Sequence, residues 1–147
     1  MREKDAASVS KKLTEFVFRT YYTYRDETRE NGDISVGSHA FGALTKIYFS
    51  EKPYTVNEMS ALMNMQTPQL SKLLTLLEKH GLIERSRPED NRRSVRVSVT
   101  EEGKAYVENM LGIVSDRIAD VLETKELNEP AAVRKAMDQL YTALFVK

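Results

Sequence analysis

Residues 55 to 81 carry two helix signals, and their close spacing constrains the fold more than any other feature. Thr55-Val56-Asn57-Glu58 has the form of a capping box: a Thr hydroxyl accepts from the amide three residues on, and the Glu carboxylate reaches back to the cap amide. Val56, Met59, Leu62 and Met63 then share one helical face. Only Asn64-Met65-Gln66 intervenes before Thr67-Pro68, which reads as a cap residue followed by proline at the first helical position. Leu70, Leu73, Leu74 and Leu77 follow at i, i+3, i+4, i+7, and Gly81 sits where a left-handed C-terminal cap belongs. Two short amphipathic helices joined by three residues form a helix-turn-helix. Paired short helices also occur in many ordinary cores, so the pair alone does not fix a function.

The flanking sequence narrows the reading. After Leu82-Ile83 comes a polar stretch from Glu84 to Arg93, rich in arginine and holding Pro88. Ser94-Val95-Arg96-Val97-Ser98-Val99 then alternates β-branched with polar residues. This predicts a two-stranded hairpin with a long basic loop, that is, a wing. Upstream, Val9, Leu13, Phe16, Val17, Tyr21 and Tyr24 predict a helix from about Ser8 to Arg29, broken by Asn31-Gly32-Asp33. A second, with Phe41, Leu44, Ile47 and Tyr48, runs from about Ser38 to Ser50 and stops before Lys52-Pro53. Downstream, Thr100-Glu101-Glu102 caps a long helix striped by Val107, Met110, Leu111, Val114, Ile118, Val121 and Leu122. Asn128-Glu129-Pro130 opens a last helix with Val133, Met137, Leu140, Tyr141, Leu144 and Phe145. The fold class is therefore mainly α with a small β-hairpin wing. Residues 36–100 are expected to form a winged helix-turn-helix region and residues 1–35 and 101–147 a helical dimerisation region.

Charge and composition bear on the partner. The 147 residues hold 22 basic and 22 acidic side chains, so the molecule is not a uniformly basic body that would bind any polyanion. Locally the balance breaks: residues 66 to 100 carry a net +3 and residues 101 to 147 a net −3. There is no cysteine, which excludes disulfides, thiolate metal sites and thiol-based oxidant sensing. His39 and His80 are too few and too far apart for a zinc site, and His80 beside Gly81 reads as a cation near a helix C-terminus. No nucleophile–base pair, glycine-rich phosphate loop or metal cluster is visible, so neither catalysis nor a cofactor is expected. No run approaches the roughly 18 apolar residues of a membrane span, and the N-terminus lacks the apolar core of a signal peptide, so a cytoplasmic protein is expected.

The second helix of the pair exposes Gln69, Ser71, Lys72, Thr75 and Lys79 outside its leucine face. Near its N-terminal end, Thr67, Gln69, Ser71, Lys72 and Thr75 are candidates for contact with bases or adjacent phosphates. Gln pairs bidentately with adenine and Lys with guanine. For Ser71 and Thr75, ordinary exposed helix surface is the alternative. In the wing, Arg85, Arg87, Asn91, Arg92 and Arg93 are candidate DNA contacts, with Arg92 and Arg93 suited to a narrow minor groove.

Gly81-Leu82-Ile83-Glu84-Arg85, the loop to Asn91-Arg92-Arg93, and Val95 to Thr100 followed by Glu101-Glu102-Gly103 resemble the signature of the MarR family: "GLxxR", then "DxR", then a strand ending "LTxxG". The resemblance covers nearly the whole chain in element order and is most specific over residues 70 to 103. It puts Arg93 at the wing-tip arginine and Asn91 where an aspartate usually orients it. Asn91 still accepts a hydrogen bond but supplies no charge, so either Asp90 substitutes or Arg93 is held less firmly. The resemblance implies a homodimer, paired through its N- and C-terminal helices, that sets two heads on a pseudo-palindromic operator, usually in repression. The three apolar helix stripes outside the head agree, being more than one small core needs.

It also implies release from DNA by a small anionic aromatic ligand. Arg19, Tyr22, Tyr24, His39 and Tyr48 are candidates to line its site, arginine pairing a carboxylate and tyrosines packing a ring. Core and interface packing is the alternative for these tyrosines. Winged domains also serve as docks for other proteins, and that reading stays open beside DNA binding.

Overall fold

In this computed structural model, residues 3–125 and 127–146 are described. The chain runs α1 (Glu3–Tyr24), a 3-10 stretch (Arg25–Ile34), α2 (His39–Tyr48), β1 (Tyr54–Thr55), α3 (Val56–Met63), α4 (Thr67–Lys79), β2 (Ile83–Ser86), β3 (Arg96–Val99), α5 (Glu101–Lys125) and α6 (Pro130–Phe145). It divides into two compact units, Met1–Val114 and Ser115–Lys147.

The capping box forms as its sequence requires. Thr55 Oγ1 accepts from Glu58 N at 3.1 Å and Glu58 Oε2 accepts from Thr55 N at 2.8 Å. Hydrogen bonding from the Thr55 amide holds the Glu58 carboxyl below its ordinary range. Asn64, with φ 49°, ends α3 in the left-handed region that asparagine tolerates, and Ser60 Oγ donates to the Met65 carbonyl to close the turn. Helix α4 starts one residue earlier than its sequence suggests: Thr67 is already helical, Gln66 is the cap residue, and no side chain caps the end. At its far end Gly81 takes φ 70°, as expected.

Leu70, Leu74 and Leu77 of α4 are fully buried, together with Met59 of α3, Leu44 and Ala43 of α2, Val97 of β3, and Val107 and Met110 of α5. Leu73 and Leu76 pack at the margin of this core. Leu62 does not follow its helical face inward and is exposed.

Two further expectations are corrected. The hairpin forms, β2 pairing with β3, but it is not the whole sheet: β1 adds to β3 through Tyr54↔Val97 and Thr55↔Arg96, giving a three-stranded antiparallel sheet of order β1-β3-β2. The residues leading into the capping box thus serve twice, as edge strand and as helix cap. The first helix ends at Tyr24 rather than near Arg29. Buried Thr28 explains this, because its hydroxyl accepts from Val36 N at 2.8 Å and donates to the Arg25 carbonyl, an alternative to continued helical bonding. The 3-10 stretch that follows is broken at Gly32, with φ 65°.

One joint fixes the wing base to α5. Thr100 Oγ1 donates to the Gly81 carbonyl at 2.6 Å and accepts from Gly103 N at 3.0 Å, so one hydroxyl both caps α5 and ties it to the end of α4. Gly103 approaches the Leu82 carbonyl so closely that a Cβ would overlap it, and would also stand 2.8 Å from Val99 Cγ2.

Candidate nucleic-acid interface

On α4, Thr67, Gln69, Lys72 and Thr75 are exposed, while Ser71 is half-buried. The wing loop between β2 and β3 turns twice, with Asn91 N donating to the Pro88 carbonyl at 3.2 Å and Ser94 N to the Asn91 carbonyl at 3.1 Å. Arg87, Arg92 and Arg93 are exposed on this loop. Among the described residues no hydrogen bond or ion pair joins Arg93 to Asp90 or to Asn91. Of the two ways of holding the wing arginine that the sequence suggests, the folded chain therefore shows the looser one.

Arg85 behaves differently from the other wing arginines. Strand alternation sends Ile83 and Arg85 to one face, and Ile83 is buried there, so Arg85 must turn toward α4. Its Nη2 donates to Thr75 Oγ1 at 3.0 Å and lies 3.4 Å from the Ser71 carbonyl. Its Nε is buried at 3.4 Å from Glu78 Oε2, an ion-pair distance without hydrogen-bond geometry. Thr75 and Arg85, both candidate DNA contacts in the sequence, are thus paired with each other. Period-two alternation from Ile83 is the sequence signal that could have shown this.

The five candidate ligand residues do not converge. Arg19 is exposed on α1 and pairs with Glu15 at 3.1 Å. Tyr22 stacks on Phe18 and lies 4.9 Å beneath the Arg25 guanidinium. Tyr24 is half-buried at the end of α1. Tyr48 donates to Glu108 Oε1 at 3.3 Å; desolvation first and the Glu108 carboxylate second raise its phenol pKa above the ordinary value. His39 lines a cavity of about 420 Å³, with Tyr21, Phe41, Thr45 and Met63 among its other walls. Tyr21 and Phe41 are the aromatic walls that sequence reasoning left out of the site. Among the described residues no group of histidines and acids is placed to hold a metal ion, and no helix is long and apolar enough to cross a membrane.

Two short helices crossing at a three-residue turn, followed by a hairpin whose long loop presents arginines, define a winged helix-turn-helix protein. Residues 39–95, which include both helices of the pair and most of the wing, match the model of the MarR family. Over this head the chain is thus similar to the MarR family. The transcriptional regulator SarA of Staphylococcus aureus is 25% identical over 115 residues, spanning 76% of this chain and 93% of SarA. The crystal structure of the transcriptional regulator Tm0710 from Thermotoga maritima shares the fold with a TM-score of 0.74 at 22% identity, over 94% of each chain. The S. aureus MepR–DNA complex shares it with a TM-score of 0.59 at 22% identity, over 87% of this chain and 98% of MepR.

Proposed function

We propose that this chain is a sequence-specific regulator that binds double-stranded DNA as a homodimer on a pseudo-palindromic operator and represses transcription from it. The observation that carries this reading is the exposed polar face of α4, with Gln69 and Lys72, in the same head as three unpaired, exposed arginines, Arg87, Arg92 and Arg93. Gln69 and Lys72 read base edges in the major groove, Thr67 and Ser71 contact the neighbouring backbone, and the wing arginines with Asn91 meet the adjacent minor groove and phosphates. Residues 36–100 do the reading, and residues 1–35 and 101–147 supply the pairing of two copies. The MepR–DNA complex supports the reading by its likeness in fold.

The test is a salt-dependent gel shift on genomic fragments, repeated with Lys72→Ala and Arg93→Ala. Loss of specific binding in both variants is expected. Retained specific binding in both would count against the contact assignment, and binding by the wild type to no fragment would favour a protein-docking module.

A small anionic aromatic molecule is the effector class we propose for release from DNA. Its support is the cavity at the start of α2, where His39 offers a donor among Tyr21 and Phe41. Phenolic acids titrated against the operator complex test this: dissociation that Tyr21→Ala abolishes is expected, and no response to any of them sinks it.

A further inference from the structure

We infer that Arg85 is a positioning residue that clamps α4 to strand β2, so that sequence-specific binding depends on it without its touching DNA. This rests on the DNA-binding reading above. Its partners Ser71, Thr75 and Glu78 fall at i, i+4 and i+7, a single stripe along two turns of α4. One side chain therefore grips the helix at its middle and near its end. Chemistry favours arginine for this, because a guanidinium presents its N–H groups in a rigid plane and can reach separated acceptors together, whereas an ammonium is a point donor on a flexible stem.

Burial separates Arg85 from its neighbours in the wing. Its side chain is 26% exposed and its Nε is sealed from water, whereas Arg87, Arg92 and Arg93 are open to solvent. A charge already committed to Glu78 and to the Thr75 hydroxyl is not available to a phosphate without breaking both contacts. Strand β2 leads directly into the wing loop, and α4 carries the base-reading face. The clamp thus makes the two reading surfaces one rigid piece, so that when Gln69 and Lys72 meet bases the wing arginines are already aimed. Preorganisation of this kind strengthens specific binding by lowering the cost of ordering on contact.

The experiment compares the wild type with Arg85→Lys, Arg85→Ala, Thr75→Val and the double variant of Arg85→Lys with Thr75→Val. Affinity is measured for a selected genomic fragment and for an unrelated duplex across a range of salt, and amide hydrogen exchange is followed in the free protein. Arg85→Lys keeps the charge and stem but not the fork. We expect each single change to weaken specific binding by about tenfold, in keeping with loss of a charge-assisted hydrogen bond. The double variant should be no worse than Arg85→Lys, because both changes break one linkage. The salt slope and the affinity for the unrelated duplex should stay unchanged, and amides in the second half of α4 should exchange faster in free Arg85→Lys.

A direct phosphate contact would instead lower the magnitude of the salt slope, by about one unit for Arg85→Ala, with Thr75→Val silent. Either of those results, or unchanged exchange in α4, overturns the inference. If the wild type binds no fragment at all, the DNA-binding reading fails, and the exchange measurement still decides separately whether the fork holds α4.

Discussion

Gly103 stands at the first turn of α5, where the backbone passes the Leu82 carbonyl with no room for a side chain. Its φ is ordinary for a helix, so glycine is required here by close approach and not by backbone conformation. Gly103→Ala should therefore destabilise the protein by about 2–3 kcal/mol in urea unfolding, since neither the strand backbone nor the helix can move without disturbing the core. Thr100 next to it makes the complementary contact. Thr100→Val keeps the shape but loses both the bond to the Gly81 carbonyl and the cap on Gly103 N. A loss of about 1–2 kcal/mol is expected, with Thr100→Ser recovering most of it. Equal stability of Thr100→Val and the wild type would show that the hydroxyl joint contributes nothing. The cap at Thr100 was legible in the sequence as a threonine before two acids. Its second bond was not, because the Gly81 carbonyl is nineteen positions away and only the hairpin brings it near. Arg85 teaches the same lesson: its residue type suggested DNA, while its register with Ile83 determined its partner.

At the scale of elements, the helix pair was readable almost to the residue, because its signals are local: a capping box, a proline near the start and a glycine after the end. The capping box carries a pH dependence. The Glu58 carboxyl is held low chiefly by the Thr55 amide, so its folded pKa is depressed. Its contribution is complete above the ordinary carboxylate pKa of about 4.3 and is lost as pH falls through the lowered value. Glu58→Ala should thus be less stable than the wild type at neutral pH, and the gap should close in acid; a gap that persists below about pH 2 would mean that the carboxylate is not its source.

Where bonding is non-local, sequence patterning fell short. Strand β1 spans two residues, too few for alternation to register, and exists because β3 offers it an edge. The end of α1 was misplaced because Thr28 bonds forward to Val36, a contact invisible to helical periodicity. In the wing, no side-chain bond fixes Arg93, so its worth lies in charge. Arg93→Ala should reduce the magnitude of the salt slope of DNA binding by about one and leave thermal stability unchanged.

For the molecule as a whole, the governing fact is apolar surface left uncovered. On α1, Val9, Phe16, Val17, Phe18 and Tyr22 are each about half exposed, and on α6 so are Met137, Tyr141, Leu144 and Phe145. The same sequence buries Leu44, Leu70, Leu74 and Leu77 completely in the head, so the chain can cover apolar side chains where geometry permits. Exposed apolar faces on two helices at opposite ends of the sequence are the observation behind the proposed pairing of two copies.

The proposed pairing has a functional consequence that can be weighed. Two heads spaced about 34 Å apart meet successive major grooves, and the second contact is then made at high effective concentration. Phe16→Glu and Leu144→Glu, one on each helix, should leave the head folded, convert the protein to a monomer in sedimentation velocity, and weaken operator binding by about 10²–10⁴-fold. Binding to a single half-site should change little, because Gln69, Lys72 and the wing are untouched. A wild type that sediments as a monomer at micromolar concentration while holding a palindromic operator no more tightly than a half-site would show that the exposed faces serve some other end, and that each head reads DNA alone.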